Sequence, residues 1–332
     1  VKATLRFLLA VPMLLVAIFF SLALFYLFPG PPWMAMAAAV GFACACVATL
    51  LFVRPYPLAL GLVAVALLAL VIWWNGIHPS SDKDWAADVA RMPHGEIAGN
   101  VLTLHDVRSF TFRSESDYDV RYEDRSYDLS QIVGLDLFLS YWGSPAIAHT
   151  ILSWEFADGD NLAISIETRK DKAQTYSAVA GFFKQYEIIY VAGDERDLVQ
   201  LRTNRRGENV FLYRLAASPA RARALLEDYV STMNDLAEHP TFYNAFTDNC
   251  TTSIHAHVRH LNPEGSTLDW RLLVNGYLDE MLYEQGSLNV SLPFPELRAK
   301  SSIDARAKAA DGRPDFSARI RDGLPARPPY RG

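Results

Sequence analysis

Cys250 is the one cysteine outside the apolar first third of the chain, and it stands in the run Asn249-Cys250-Thr251-Thr252-Ser253. Asp248 and Asn249 are residue types that start helices, and Ile254 and Val258 follow at helical spacing. The pattern predicts a helix that opens at or beside Cys250. A thiol at that place feels the positive end of the helix dipole, which favours the thiolate. Free cysteine is also among the most buried residue types, so a small packing residue is the alternative. A cysteine nucleophile needs a base, a group to orient that base, and donors for an oxyanion.

The base comes from a predicted hairpin. The run 147–156, the turn Ala157-Asp158-Gly159-Asp160 and the run 161–169 alternate apolar and polar residues on either side of a good turn. Matching the apolar faces puts His149 on the same side as Ser165, Glu167 and Arg169, with 149 opposite roughly 167 to 169. His149 is therefore the candidate base and Glu167 the candidate orienting group, with Ser165 as a smaller substitute. A strand histidine satisfied by its neighbours is the competing reading. Backbone N–H groups at the start of the Cys250 helix, with the Asn249 side chain, are the candidate oxyanion donors.

Two rivals use other residues. His257 and His260 share a helix face and His255 is near, but no His-Glu-x-x-His or Cys-x-x-Cys pattern supplies further ligands. A polar helix face is the expectation for these three, with neither metal nor cofactor. Arg169, Arg196 and Arg202 are candidates for binding a lipid phosphate, since guanidinium matches phosphate oxygens in pairs. A strand followed by a solvated turn is the plainer reading of the charged run 186–197.

The elements that must hold these groups begin with three apolar runs, 7–28, 33–53 and 58–74. Each approaches the ~20 residues that span ~30 Å of hydrocarbon. A cleaved signal peptide would account for the first run alone, but Pro-Gly-Pro-Pro and two further spans follow it. Residues 1–77 carry only Lys2, Arg6 and Arg54 as charges, which puts the N-terminus and Arg54 in the cytoplasm and everything after the third span on the far side. Trp33, Trp73 and Trp74 fall where an interfacial aromatic belt would lie. The formal net charge of −6 argues against a nucleic-acid partner. Cys44 and Cys46 lie inside the second span, so Cys250 has no partner for an intradomain disulfide.

Beyond a linker with a short amphipathic stretch near Trp85, strands are expected at 97–104, 107–113, 118–122, 134–141, 187–192, 198–203 and 210–215. A long helix follows, starting at Ser218-Pro219 and carrying Leu225, Leu226, Tyr229, Met233 and Leu236 on one face. The division expected is a three-helix anchor over 1–77, a linker with first strands over 78–133, and a periplasmic domain over 134–332. No internal repeat is present.

Several separate motifs in one order carry a family likeness: His149-Thr150-Ile151-Leu152-Ser153-Trp154, Ile164-Ser165-Ile166-Glu167-Thr168-Arg169, Gly181-Phe182-Phe183-Lys184, Asp194-Glu195-Arg196-Asp197, Leu201-Arg202-Thr203-Asn204, Phe242-Tyr243-Asn244 and Asn249-Cys250-Thr251-Thr252. Over roughly 134–316 the chain resembles the Lnb-type periplasmic domain. The resemblance implies an α+β, permuted papain-like fold with an antiparallel sheet, in which the histidine strand precedes the cysteine helix. It also implies a lipoprotein N-acyltransferase-like enzyme, with Cys250 as nucleophile and His149 as base; Glu167 as third member rests on the hairpin geometry alone. One feature departs from the family: three spans precede the domain here, whereas in the Lnb type they follow it, which leaves the exact reaction open. The expected protein is a bacterial inner-membrane cysteine acyltransferase acting on membrane lipid or lipoprotein, its C-terminal domain periplasmic. A thiol hydrolase (peptidase or amidase) and a non-catalytic binding module are the alternatives. The sequence leaves the oligomeric state open.

Overall fold

The computed structural model describes residues 2–80, 83–262 and 269–330. The chain divides into two compact units. The first is Val1–Lys83 with Thr175–Glu187 and Thr241–Ala245; the second is Asp84–Gln174, Ile188–Pro240 and Phe246–Gly332.

The first unit is built on three helices, α1 (Lys2–Leu27), α2 (Pro32–Phe52) and α3 (Tyr56–Asn75). Each is long and apolar enough to cross a membrane. Prolines sit at the first turns of α2 and α3, where a missing N–H costs nothing. Ala17, Phe20, Ala23, Cys46, Leu50, Val63 and Leu67 fill the interior, while Leu15, Leu22, Leu51, Leu62 and Leu68 point outward. A bundle that is apolar on its outside as well as inside belongs in lipid, and the protein is membrane-embedded.

The second unit is α+β. Its strands are β1 (His94–Ala98), β2 (Val101–Arg108), β3 (Thr111–Phe112), β4 (Tyr118–Asp119), β5 (Tyr122–Asp128), β6 (Ile132–Tyr141), β7 (Ala148–Phe156), β8 (Asn161–Arg169), β9 (Glu187–Gly193, entered from the first unit) and β10 (Asn209–Arg214). The helices are α4 (Glu195–Gln200), α5 (Pro219–Glu238), α6 (Cys250–Leu261), α7 (Leu278–Glu284), α8 (Phe294–Ser301), α9 (Asp304–Ala309) and α10 (Phe316–Arg319). Eight strands form one sheet in the order β1-β2-β9-β8-β7-β6-β10, with β5 also on β2.

One sheet face packs Phe138, Ile151, Ala163, Ile189, Val191, Val210 and Leu212 against Leu198 and Val199 of α4, Ala307 of α9 and Phe316 of α10. The other carries α5 and α6: Trp154 of β7 donates its indole N–H to the Ala222 carbonyl, 2.7 Å, and its ring meets Tyr229 edge-on. Ser218 caps α5 ahead of Pro219, as the sequence predicts, and the expected apolar stripe is buried. Near the C-terminus, Arg321 bridges buried Asp136 and Glu195, and Arg327 bridges Asp136 and Glu155. These pairs leave no buried carboxylate of the group uncompensated.

Four expectations need correction. The strand 97–104 is a hairpin, β1 turning at Gly99-Asn100 into β2. The runs 107–113 and 118–122 break at Ser109–Phe110 and Val120–Arg121, leaving two-residue strands β3 and β4 paired with each other. The run 198–203 is helical: α4 continues into a π turn, Leu201–Arg205. A short apolar run suits either period, and the acids Glu195 and Asp197 in its first turn favour the helix through its dipole. Finally, the sheet is mixed, because β2 meets β9 in parallel at Arg108 and Gly193. A Cβ on Gly193 would lie 2.8 Å from the Arg108 carbonyl oxygen, so glycine is what permits this approach.

Candidate active site

Helix α6 begins where the sequence predicts. The Asn249 side-chain oxygen accepts from the N–H groups of Thr251 and Thr252 at 2.9 and 3.0 Å, and the Thr252 hydroxyl accepts from the Asn249 N–H at 2.9 Å. This reciprocal cap fixes Cys250 as the first helical residue, with its thiol buried at the positive end of the dipole. The Asn249 oxygen is thereby committed to the helix.

His149 lies near the start of β7 and is buried. The hairpin has the predicted register, with Ile151 opposite Ser165. The His149 Nε2 is 2.6 Å from the Ser165 Oγ and 3.1 Å from Glu167 Oε1, and the Ser165 hydroxyl donates to Glu167 at 2.7 Å. This network assigns the proton to Nε2, which leaves Nδ1 for the thiol. Glu167 Oε1 also accepts from Arg202 Nη2 at 2.7 Å, and Arg202 Nη1 reaches Glu208 Oε2 at 3.2 Å. Glu208 in turn accepts from the Ser140 hydroxyl, and Ser140 is paired with His149 across β6 and β7. The site is therefore a chain: thiol, imidazole, carboxylate, guanidinium, carboxylate.

The charges tune one another. Burial works against a thiolate, but the charge and hydrogen bond of His149 and the contacts of Thr150 outweigh it and bring Cys250 down to about 6. Burial and the Arg202 charge oppose protonation of His149, yet Glu167 and the Cys250 thiolate prevail and raise it to about 9. Burial would raise Glu167 too, but His149 and Arg202 hold it well below the usual carboxylate range. Near neutral pH the pair is thiolate and imidazolium.

A clamp that the sequence reading missed joins the two halves. Asn275 accepts from the Ala148 N–H at 2.8 Å and donates through Nδ2 to the Ala148 carbonyl and to the Thr251 hydroxyl, both at 2.6 Å. Thr251 is also 3.0 Å from the Thr150 hydroxyl. The residue before His149 is thus tied to the residue after Cys250. Gly276 makes the approach possible, since a Cβ there would fall 2.1 Å from the Pro145 carbonyl oxygen. Asn275-Gly276 carries only a generic turn signal in sequence, 126 residues beyond His149.

Of the proposed phosphate ligands, only Arg202 joins this cluster, and both its carboxylate partners are in place. Arg169 is buried, donates to the carbonyls of Val89 and Ala90 and stacks over Trp85. Arg196 is half exposed, 3.5 Å from Asp194, and lines a separate cleft of about 460 Å³ with Phe110, Phe112 and Arg205. The histidines of α6 differ from the expected polar face. His257 is buried, its Nδ1–H donating to Asp228 at 2.6 Å and its Nε2 accepting from the Tyr190 hydroxyl at 2.7 Å. Exposed His260 takes the other Asp228 oxygen at 2.8 Å. Among the described residues no group of histidines, cysteines and carboxylates is arranged to hold a metal ion.

An α+β domain with a cysteine at a helix N-terminus beside a strand histidine, following three membrane-crossing helices, defines a membrane-anchored protein with a thiol–imidazole site. Residues 118–276 match the family model of the Lnb N-terminal periplasmic domain. The match contains His149, Glu167, Cys250 and the Asn275 clamp. No curated protein and no solved structure matches the chain. The apolar helices and the periplasmic family together mark an inner-membrane protein with a periplasmic domain.

Proposed function

We propose that this protein is a periplasmic cysteine acyltransferase that moves a fatty acyl chain of a membrane phospholipid or lipoprotein through a thioester on Cys250. The observation that carries the reading is the placement of Cys250 on the α6 N-terminus and of His149 backed by Glu167, with the thiol lowered by the His149 charge. In the first half-reaction the thiolate attacks an acyl ester carbonyl, and the oxyanion develops near the start of α6. As the ester C–O bond breaks, His149 gives its Nδ1 proton to the departing alkoxide and the acyl group remains as a thioester. In the second, an acceptor amine attacks the thioester, His149 takes the amine proton, and the thiolate leaves as an amide forms. Glu167 keeps the imidazole oriented through Nε2 and stabilises its charge. The periplasmic family and the apolar helices favour lipid-borne substrates. The order of histidine strand before cysteine helix is also that of a permuted papain-like enzyme.

The test is mass spectrometry of lipoprotein N-termini from cells with and without the protein, alongside Cys250→Ala and His149→Ala variants. N-terminal acylation should depend on the protein and be lost in both variants, and an acylated Cys250 peptide should be recovered from the wild type. Full acylation by either variant would defeat the reading; turnover with release of free acid or cleaved peptide would assign the same thiol to a hydrolase.

A further inference from the structure

The first unit contains a segment that is not one of its three helices. Thr175–Glu187 and Thr241–Ala245 belong to it, joined to each other by hydrogen bonds from Tyr243 to Tyr186 and from Ala245 to Gly181. Phe183 is a member of the buried cluster inside the helical bundle. Its ring stacks on Tyr26 at 5.2 Å and meets Phe19 at 5.3 Å. Phe19 lies about 12 Å before the end of α1, at ~1.5 Å rise per residue. Phe183 therefore packs into the end of the bundle, between a ring one residue and a ring eight residues before the end of α1.

The neighbouring residues are fitted to that position. Lys184 donates to the carbonyls of Trp74 and Ile77 at 2.8 and 3.1 Å, capping the end of α3, with its ammonium over the Trp74 ring. It does so from a left-handed backbone, φ 50°, uncommon for a residue with a side chain. Gln185 donates to the Tyr26 carbonyl at 2.9 Å, at the end of α1. These bonds add partners to carbonyls at the ends of α1 and α3, where the Trp74 carbonyl also accepts from the Ile77 N–H at 3.2 Å. Lys184 and Glu187 are the only charged residues between 175 and 187, and Glu187 is buried, accepting from Ser80 and Lys83. Beyond exposed Thr175 at its start, the outward residues are mainly apolar: Val179 is 52% exposed, Phe182 39% and Tyr176 47%.

We propose that Thr175–Glu187 is a lipid-binding strap, with Val179 and Phe182 seated among phospholipid chains in the leaflet where α1 and α3 end. An apolar tip beside an inserted Phe183, with its one lysine folded onto helix carbonyls, fits the interfacial zone of a bilayer. The outward face continues the lipid-facing surface of the bundle. The strap binds lipid whether or not Cys250 is a nucleophile, so this inference and the proposed reaction stand or fall separately.

The test uses the full chain in nanodiscs of palmitoyl-oleoyl phosphatidylethanolamine and phosphatidylglycerol, with p-benzoylphenylalanine placed in turn at positions 179, 182, 62 and 120. Leu62 is an outward residue of α3, and Val120 is an exposed apolar residue of the second unit. After irradiation, intact mass should rise by one phospholipid at 179 and 182 as it does at 62, and not at 120. The proposal is overturned if 62 gives a lipid adduct while 179 and 182 give none, or if their photoproducts are cross-links to protein, in this chain or a second copy. Equal lipid labelling at 120 would also overturn it, because the strap would then show no preference for the bilayer.

Discussion

Asn275 holds the main chain of Ala148 through both ends of its carboxamide, 2.8 Å to the N–H and 2.6 Å to the carbonyl, and spends its remaining hydrogen on Thr251. The spacing between Cys250 and His149 thus depends on a side chain whose Nδ2 also lies 4.0 Å from the Cys250 Sγ. Such a support sets a catalytic geometry to within fractions of an ångström.

Asn275→Ala is expected to leave the Ala148 amide and carbonyl and the Thr251 hydroxyl without this partner inside the protein. Each orphaned group costs about 1–3 kcal/mol, so the thermal midpoint by intrinsic fluorescence should drop by several degrees and acyl transfer by about 100-fold. Gly276→Ala should be at least as damaging, since its Cβ meets the Pro145 carbonyl. An Asn275→Ala protein with wild-type rate and midpoint would show that the clamp is idle.

The reactive window follows from the two shifted groups. Cys250, lowered to about 6, becomes thiolate as pH rises through that value; His149, raised to about 9, loses its proton as pH rises through that one. Alkylation of Cys250 by iodoacetamide, followed by peptide mass spectrometry, should have its midpoint near 6, not near 9, and acyl transfer should be bell-shaped between the two. The sign for stability is fixed as well. A histidine raised in the folded state contributes most below its unfolded value near 6.5, and that contribution is lost as pH rises through about 9. Glu167→Gln removes a charge that raises His149, so the basic limb should move to lower pH. An unmoved limb would exclude Glu167 as its cause.

The legible parts of the site are those written in local pattern. The hairpin of β7 and β8 follows from alternation and the Asp158-Gly159 turn, which fixed His149, Ser165 and Glu167 on one side. The cap of α6 follows from Asn249 beside Thr251 and Thr252. Arg202 and Glu208 were obscured because the segment before them suits strand and helix periods equally, and its burial against α9 decides between them. Asn275 was invisible for a different reason: an asparagine ahead of a glycine reads as a turn, and nothing local specifies the strand end 127 residues away that it grips. Arg169 shared the predicted parity with Glu167 but turns its guanidinium to main-chain carbonyls over Trp85.

Arg202 is buried between Glu167 and Glu208, so removing it separates a stability effect from an electrostatic one. Arg202→Met should destabilise the domain by about 3–5 kcal/mol, the usual cost of stranding a buried ion-pair partner. Arg202 also opposes the charge on His149. The surviving folded protein should therefore have its basic limb shifted upward, opposite in direction to Glu167→Gln. Opposite shifts from two neighbours of the same carboxylate–guanidinium pair are what a purely structural role would not produce. A shift in the same direction for both would argue that neither acts through the imidazole charge.

His257 tests the polar group on the far side of α6. Burial lowers its pKa and outweighs Asp228, which raises it, while the charge of His260 lowers it further. It is therefore held neutral, accepting from Tyr190 while donating to Asp228. Protonation would turn Nε2 from acceptor into donor, so the Tyr190 hydroxyl would have to accept there and turn its own hydrogen elsewhere. A depressed histidine contributes stability above its unfolded pKa near 6.5, and this is lost as pH falls through the lower folded value. The thermal midpoint should consequently fall between pH 7.5 and 5.5, and His257→Gln should be less stable at pH 7.5 but show a smaller drop over the same interval. Tyr190→Phe removes the hydroxyl that protonation would reorient, and it should likewise reduce the drop. A wild-type acid limb retained in both variants would place the titrating group elsewhere, with exposed His260 on the other oxygen of Asp228 the next to test.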